Sequence, residues 1–219
     1  GIWQRPAFYG SPSERQTCMQ RESLAVRQGV GMIDISTLGG IELYGPDAAE
    51  FMNRIYTFAF LKQPVGKTRY AVLTNEQGVV IDDGVACRFA DEHYYVSATT
   101  SGVDRVYQEM LRWNAQWRLD VDLVNVTSAF AAVNIAGPRS REVLQQLVAD
   151  LDLSPEGFPY LACRQGEVLH EGAQGKNHLV AVRVHGRQPS LRIDANDQLP
   201  IIHQSHAPRL AVVAAWGKG

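Results

Sequence analysis

Ile41-Glu-Leu-Tyr-Gly-Pro46, followed by Glu50-Phe51, is echoed later by Val133-Asn-Ile-Ala-Gly-Pro138, followed by Glu142-Val143. Each copy reads as a short strand, a Gly-Pro break and an amphipathic helix. In the first copy Gly45-Pro46-Asp47 opens the helix with an acid where the macrodipole favours one. Ala48, Phe51, Met52 and Ile55 then fall at i, i+3, i+4 and i+7, an apolar stripe that faces a core. The second helix carries Val143, Leu144, Leu147 and Val148. Two agreeing copies imply duplicated β-α-β units, and hence an α+β fold with mixed sheets.

Upstream of the first copy, Gly1 to Gly10 is irregular and aromatic, the texture of a segment packed across a surface groove. Ser11-Pro12-Ser13-Glu14 supplies a helix start, and Gly29 a stop after Gln28. Val30 to Tyr44 alternates as extended chain. Downstream, Leu61 to Gly66 is a loop leading to Tyr70–Phe89, which reads as two short strands joined by the turn Asn75-Glu76-Gln77-Gly78. Tyr94-Tyr95-Val96 is a further strand. Val103, Val106, Tyr107 and Met110 mark a helix capped by Thr100 or Ser101, and Val121 to Val126 returns as a strand. Beyond Gly166 the texture changes. Five of the six histidines lie there, Val180, Val182 and Val184 alternate as a strand, and Leu210 to Trp216 is apolar. His203 and His206 lack a third ligand at zinc spacing, so no metal site is expected. The chain therefore divides at 166/167.

The 219 residues suffice for a sizeable core, and 45% hydrophobic with 20% charged residues is ordinary globular composition. A net charge of −2 gives no field for gripping nucleic acid or an acidic membrane, and no apolar run has the length of a membrane span. Cys18, Cys87 and Cys163 are odd in number and share no ligand spacing, which suggests buried thiols in a reducing, cytoplasmic setting. No signal peptide opens the chain, and a start at Gly1 suggests a piece of something longer.

Chemistry concentrates at Val79-Val80-Ile81-Asp82-Asp83-Gly84. Successive strand side chains point to opposite faces, so the two acids cannot share a site unless the chain bulges there. A carboxylate ending a buried strand needs a donor or a cationic ligand. The competing reading is a simple turn, because Asp-Gly is a strong turn signal. Asp34 and Ser36 read as a turn-bonded pair, and Cys87 as an inert buried thiol. Gly39-Gly40 is too short for a phosphate loop, and no nucleophile elbow supports hydrolase chemistry.

The ordered set Asp34-Ile-Ser36-Thr-Leu-Gly39, Gly45-Pro-Asp-Ala48, Asn53-Arg-Ile-Tyr-Thr57, Gly66-Lys67, Tyr70 and Gly78-Val-Val-Ile-Asp-Asp83-Gly84-Val85 resembles the T-protein family. These are the folate-binding aminomethyltransferases of glycine cleavage, and the nearer likeness is to the corresponding region of the sarcosine oxidase α subunit. The resemblance runs from about Trp3 to Gly166. It implies an aminomethyltransferase-like folate-binding domain over residues 1–166, with residues 167–219 a divergent tail, and a fold lacking the family's C-terminal barrel. It implies a transferase that moves a one-carbon unit from a small amine or imine to tetrahydrofolate, giving 5,10-methylenetetrahydrofolate. Flavin would reside only on partner domains or subunits of a sarcosine-oxidase-like assembly. By position, Asp82 is the catalytic carboxylate, Tyr70 lines the pocket, the backbone at Gly84 runs along the pterin, and Tyr160 of Phe158-Pro159-Tyr160 approaches the cofactor. A strand-held carboxylate can orient an amine or shuttle its proton. From Glu167 onward the family's Thr-Gly-Glu-x-Gly-Tyr-Glu run, whose glutamate binds the pterin, has no counterpart. The alternative is a module that keeps the fold for folate binding or subunit assembly without the activity.

Overall fold

The computed structural model describes residues 6–148, 150–168, 177–179 and 209–213, with 168, 177–179 and 209–213 as backbone alone. The expected strand at Val180–Val184 and the pair His203 and His206 lie outside them.

After a 3-10 turn at Pro12–Glu14, helix α1 spans Arg15–Gln28. Strands β1 (Gly31–Asp34) and β2 (Gly39–Tyr44) follow, then α2 (Ala48–Ile55), β3 (Lys67–Thr74), β4 (Val80–Ala90) and β5 (His93–Ala98). Helix α3 covers Val103–Trp117, β6 Asp122–Asn125, β7 Phe130–Ala136 and α4 Ser140–Leu147. Three short strands close the order: β8 (Gly166–Val168), β9 (Asn177–Leu179) and β10 (Arg209–Val213).

Two open five-stranded sheets result, and no barrel closes among the described residues. The first runs β3-β4-β5-β2-β6, with antiparallel neighbours throughout. The second, β1-β7-β10-β9-β8, is mixed, because β10 pairs parallel with both β7 and β9. The α+β expectation is met. The repeat is physical too: Gly45 and Gly137 both take positive φ, at 136° and 120°. The residues before α2 and α4, Asp47 and Arg139, have nearly the same backbone angles. One copy lies in each sheet. The Ala48, Phe51, Met52 and Ile55 stripe is buried as read.

The main core lies between the first sheet and the helices α2 and α3. Ile41, Leu43, Ala71, Leu73, Ala86, Tyr94 and Val96 meet Phe51, Met52, Val106 and Met110 there. A second cluster joins Ile135 of β7 to Leu144, Leu153 and Phe158. Between the sheets, Cys87 and Tyr95 pack against Phe130, Ala132 and Cys163. Two local expectations fail, and the first is at Ser11, which opens the helix start without a side-chain cap bond. The residue before α3 is Gly102, with no side-chain cap from Thr100 or Ser101. A carboxylate from a neighbouring strand holds that turn instead.

Candidate functional site

The β3–β4 hairpin turns where the sequence places it. Gly78 has φ 77°, and Asn75 Oδ1 accepts from the Gln77 and Val79 amides at 3.0 and 2.9 Å. The register then shifts. Thr74 faces Val80, yet Leu73 faces Asp82, so Ile81 is an extra residue on β4. A bulge of this kind exchanges the faces of everything beyond it. Counted back from the turn without it, Asp82 would lie opposite Val72 and share a face with Tyr70. With it, Asp83 takes that place.

The two carboxylates accordingly part. Asp82 sits beside Leu73 on the helix-covered face and is only 7% exposed. Its Oδ2 accepts the Thr99 amide at 3.1 Å, and an added Cβ at Gly102 would lie 2.7 Å from the same oxygen. Gly102 and Val103 both donate to Thr99 O, so Asp82 secures the turn that starts α3, where the helix dipole also favours an anion. Its charge reaches Tyr56, whose hydroxyl burial, and then Asp82, push well above the usual phenol range.

Asp83 lies on the opposite face, opposite Val72, and accepts the hydroxyl of Tyr70. Tyr70 is 47% exposed. Its hydroxyl is raised by the bond to Asp83 first, then by burial and by that carboxylate's charge. Loss of its proton would break the bond and set two anions together.

Gly84 pairs with Ala71, and a Cβ there would come within 1.8 Å of Ser97 O. The close approach of β4 and β5 therefore requires glycine at that position in its own right. Tyr160 is 53% exposed, and its carbonyl accepts from Lys67 Nζ at 3.3 Å. Thr68 N donates to Leu161 O at 2.7 Å, and Lys67 bridges Ala162, so this segment runs along the free edge of β3. Of the residues marked in the sequence, the fold brings Tyr70 to Asp83 and the Tyr160 segment to the same strand. It does not bring Tyr70 to Asp82.

One residue near the site carries no sequence signal. Arg141 on α4 donates to the carbonyls of Leu153, Ser154 and Phe158, fixing the loop that delivers Tyr160. These contacts span 12 to 17 residues and show in no motif. Tyr56, in the Asn53-Arg-Ile-Tyr-Thr57 stretch, follows α2, is buried, and is the phenol on which the charge of Asp82 acts. Asp34 and Ser36 are the turn pair expected, with Ser36 N and Oγ donating to Asp34 Oδ1 at 2.8 and 2.6 Å. Among the described residues no three of His, Cys, Asp or Glu gather as a metal site would need, and no helix is long and apolar enough to cross a membrane.

Residues 1–174 match the model of the GCVT N-terminal domain. The chain belongs to that family. Among GCVT relatives, sarcosine oxidase subunit alpha of Corynebacterium sp. strain U-96 is 42% identical over 179 residues, covering 80% of this chain and 18% of that protein. The aminomethyltransferase of Thermotoga neapolitana is 33% identical over 166 residues, covering 76% and 42%. The chain thus spans under a fifth of the first and under half of the second. The glycine cleavage system aminomethyltransferase T of Bartonella henselae superposes with a TM-score of 0.57 at 22% identity, over 65% of this chain and 37% of that one. This last likeness speaks for the fold.

Proposed function

We propose that this chain is the folate-binding part of a tetrahydrofolate-dependent one-carbon transferase, taking a methylene unit from an amine or imine donor. The setting would be a sarcosine-oxidase-like or glycine-cleavage-like system in the cytoplasm, with residues 1–166 as the aminomethyltransferase-like unit and 167–219 as a divergent tail that lends β9 and β10 to the second sheet. The relatives named above support the class. The observation that carries it is the exposed Tyr70–Asp83 pair, with the Tyr160 segment along the same strand edge.

The residues fit such a cofactor. An exposed phenol offers a flat apolar ring, and a carboxylate beside it offers an acceptor to ring or amine N–H groups. Tetrahydrofolate, when bound, supplies the nitrogens that carry the carbon. In this chain, Asp83 would touch the ligand, accepting an N–H and balancing positive charge. Tyr70 would orient that carboxylate through its hydroxyl and lend its ring. Asp82, expected from its position to be the catalytic acid, is assigned as a positioning residue that fixes β4 to the start of α3. Tyr160 and the Gly84 backbone are secondary contacts.

Titration of the 219-residue chain with tetrahydrofolate tests this. Asp83→Asn should weaken binding by at least about tenfold, the loss of one hydrogen bond to a charged group. Tyr70→Phe should weaken it less. Equal binding by Asp83→Asn and the parent, with loss only in Asp82→Asn, would return the role to Asp82. The second reading, an assembly module without activity, rests on the missing counterpart of the family's glutamate-bearing run after Glu167. It predicts no binding by the parent chain.

A further inference from the structure

Between the sheets, behind the Tyr160 segment, two thiols meet. Cys87 comes from β4 and Cys163 from the chain just past Tyr160, and both are free cysteines. They are 4% and 1% exposed and share a cluster with Tyr95, Phe130 and Ala132. Cys163 Sγ donates at 3.6 Å to Arg88 O, the carbonyl of the residue next to Cys87, so both side chains pack at one point of that cluster. A disulfide needs its two Cα atoms within about 7 Å, and packing of both side chains in one cluster is the precondition for that approach. Cys18 is on α1 with its sulfur against Gly10, outside this cluster.

We propose that Cys87 and Cys163 are a reversible dithiol–disulfide couple, closed by a peroxide and opened by a thiol reductant. Cys163 is the attacking sulfur. Its thiol is held below the ordinary value chiefly by the hydrogen bond with Cys87, and then by the positive charges of Arg164 and Lys67, against the opposing effect of burial. Its thiolate attacks one peroxide oxygen; the O–O bond breaks, the other oxygen leaves as hydroxide and takes a proton to become water, and Cys163 becomes a sulfenic acid. Cys87, as thiolate, then attacks that sulfur. The S–S bond forms and the second oxygen leaves as water. Two thiols lose two electrons and two protons, and one peroxide becomes two waters.

Access comes from the β3 edge. The covering stretch is held there by the bonds of Thr68 N to Leu161 O and Cys163 N to Gly66 O, at 2.7 and 2.9 Å. Local opening of a short edge segment of this kind is far cheaper than global unfolding. Closure of the disulfide would tie the chain presenting Tyr160 to the strand presenting Asp83, so redox state would set the spacing of the proposed ligand face. The couple itself does not depend on what that face binds.

The test is a peptide map of the 219-residue chain. The chain is treated with hydrogen peroxide, alkylated in denaturant, digested and analysed by mass spectrometry. The expected result is a Cys87–Cys163 crosslinked peptide, alkylated Cys18, and loss of the crosslink on adding dithiothreitol. Cys18→Ser keeps the crosslink, whereas Cys87→Ser and Cys163→Ser each abolish it. The parent map decides alone if a variant fails to fold. Full alkylation of Cys87 and Cys163 after peroxide, their conversion to sulfinic or sulfonic acids, or a disulfide to Cys18 or to a second copy overturns the proposal.

Discussion

The two faces of the β3–β4 hairpin share one backbone and the same run of residues, yet they have opposite fates. One face carries Ala71, Leu73, Asp82 and Ala86 beneath α2 and α3, and one oxygen of its carboxylate accepts the Thr99 amide. The other carries Tyr70, Val72 and Asp83, with its carboxylate held by an exposed phenol. Adjacent acids thus part, one buried against the start of α3 and one bonded to an exposed phenol. The difference teaches that chemistry in this fold follows from which face helices cover, not from residue type.

The comparison breaks most readily by attacking the covered face. Phe51 on α2 is fully buried in the main core, so Phe51→Ala should cost about 3–5 kcal/mol. Val79→Ala at the exposed hairpin tip should stay within about 0.5 kcal/mol. Urea unfolding of the two variants measures the gap, and similar midpoints would refute the assignment of the core.

A smaller effect separates the acids themselves. Asp82→Ala leaves the Thr99 amide without its acceptor in a covered position and should cost about 1–3 kcal/mol. Asp83→Ala removes a bond between exposed groups and should change stability by under about 0.5 kcal/mol. If the two midpoints coincide, the faces are not distinct in the way described.

A third effect is on alkaline stability. The Tyr56 and Tyr95 hydroxyls are raised above the ordinary 10.0, in both cases by burial first; Asp82 adds to this at Tyr56, and Cys87 and Glu42 at Tyr95. A folded value above the unfolded one means the neutral phenols stabilise the fold fully below pH 10. That contribution is lost as pH rises toward the folded values. Near-ultraviolet absorbance should therefore show these two tyrosines ionising only as circular dichroism reports unfolding, ahead of which the exposed tyrosines titrate. Ionisation of all tyrosines in one step while the fold persists would contradict their burial.

Much of this was legible in the residues. The Gly-Pro echo located both strand–helix copies because positive φ at Gly45 and Gly137 is a local demand that glycine meets. The stripe Ala48, Phe51, Met52 and Ile55 named its own buried face, since helical period and burial are one statement. The hairpin turn followed from Asn75 and Gly78. The position of the Tyr160 segment was invisible, because Arg141 anchors it through carbonyls and carbonyls carry no sequence identity. The thiol pair was equally hidden, since cysteine spacing along the chain says nothing of two strands folded together.

By itself, then, the sequence determined the elements, the repeat, the family and the stretch where chemistry gathers, all of which rest on interactions within a few residues. Only the tertiary structure decided which carboxylate faces outward. Strand alternation has period two, so the single extra residue at Ile81 reverses the answer, and whether a strand bulges is settled by its neighbours' hydrogen bonds rather than by its own side chains.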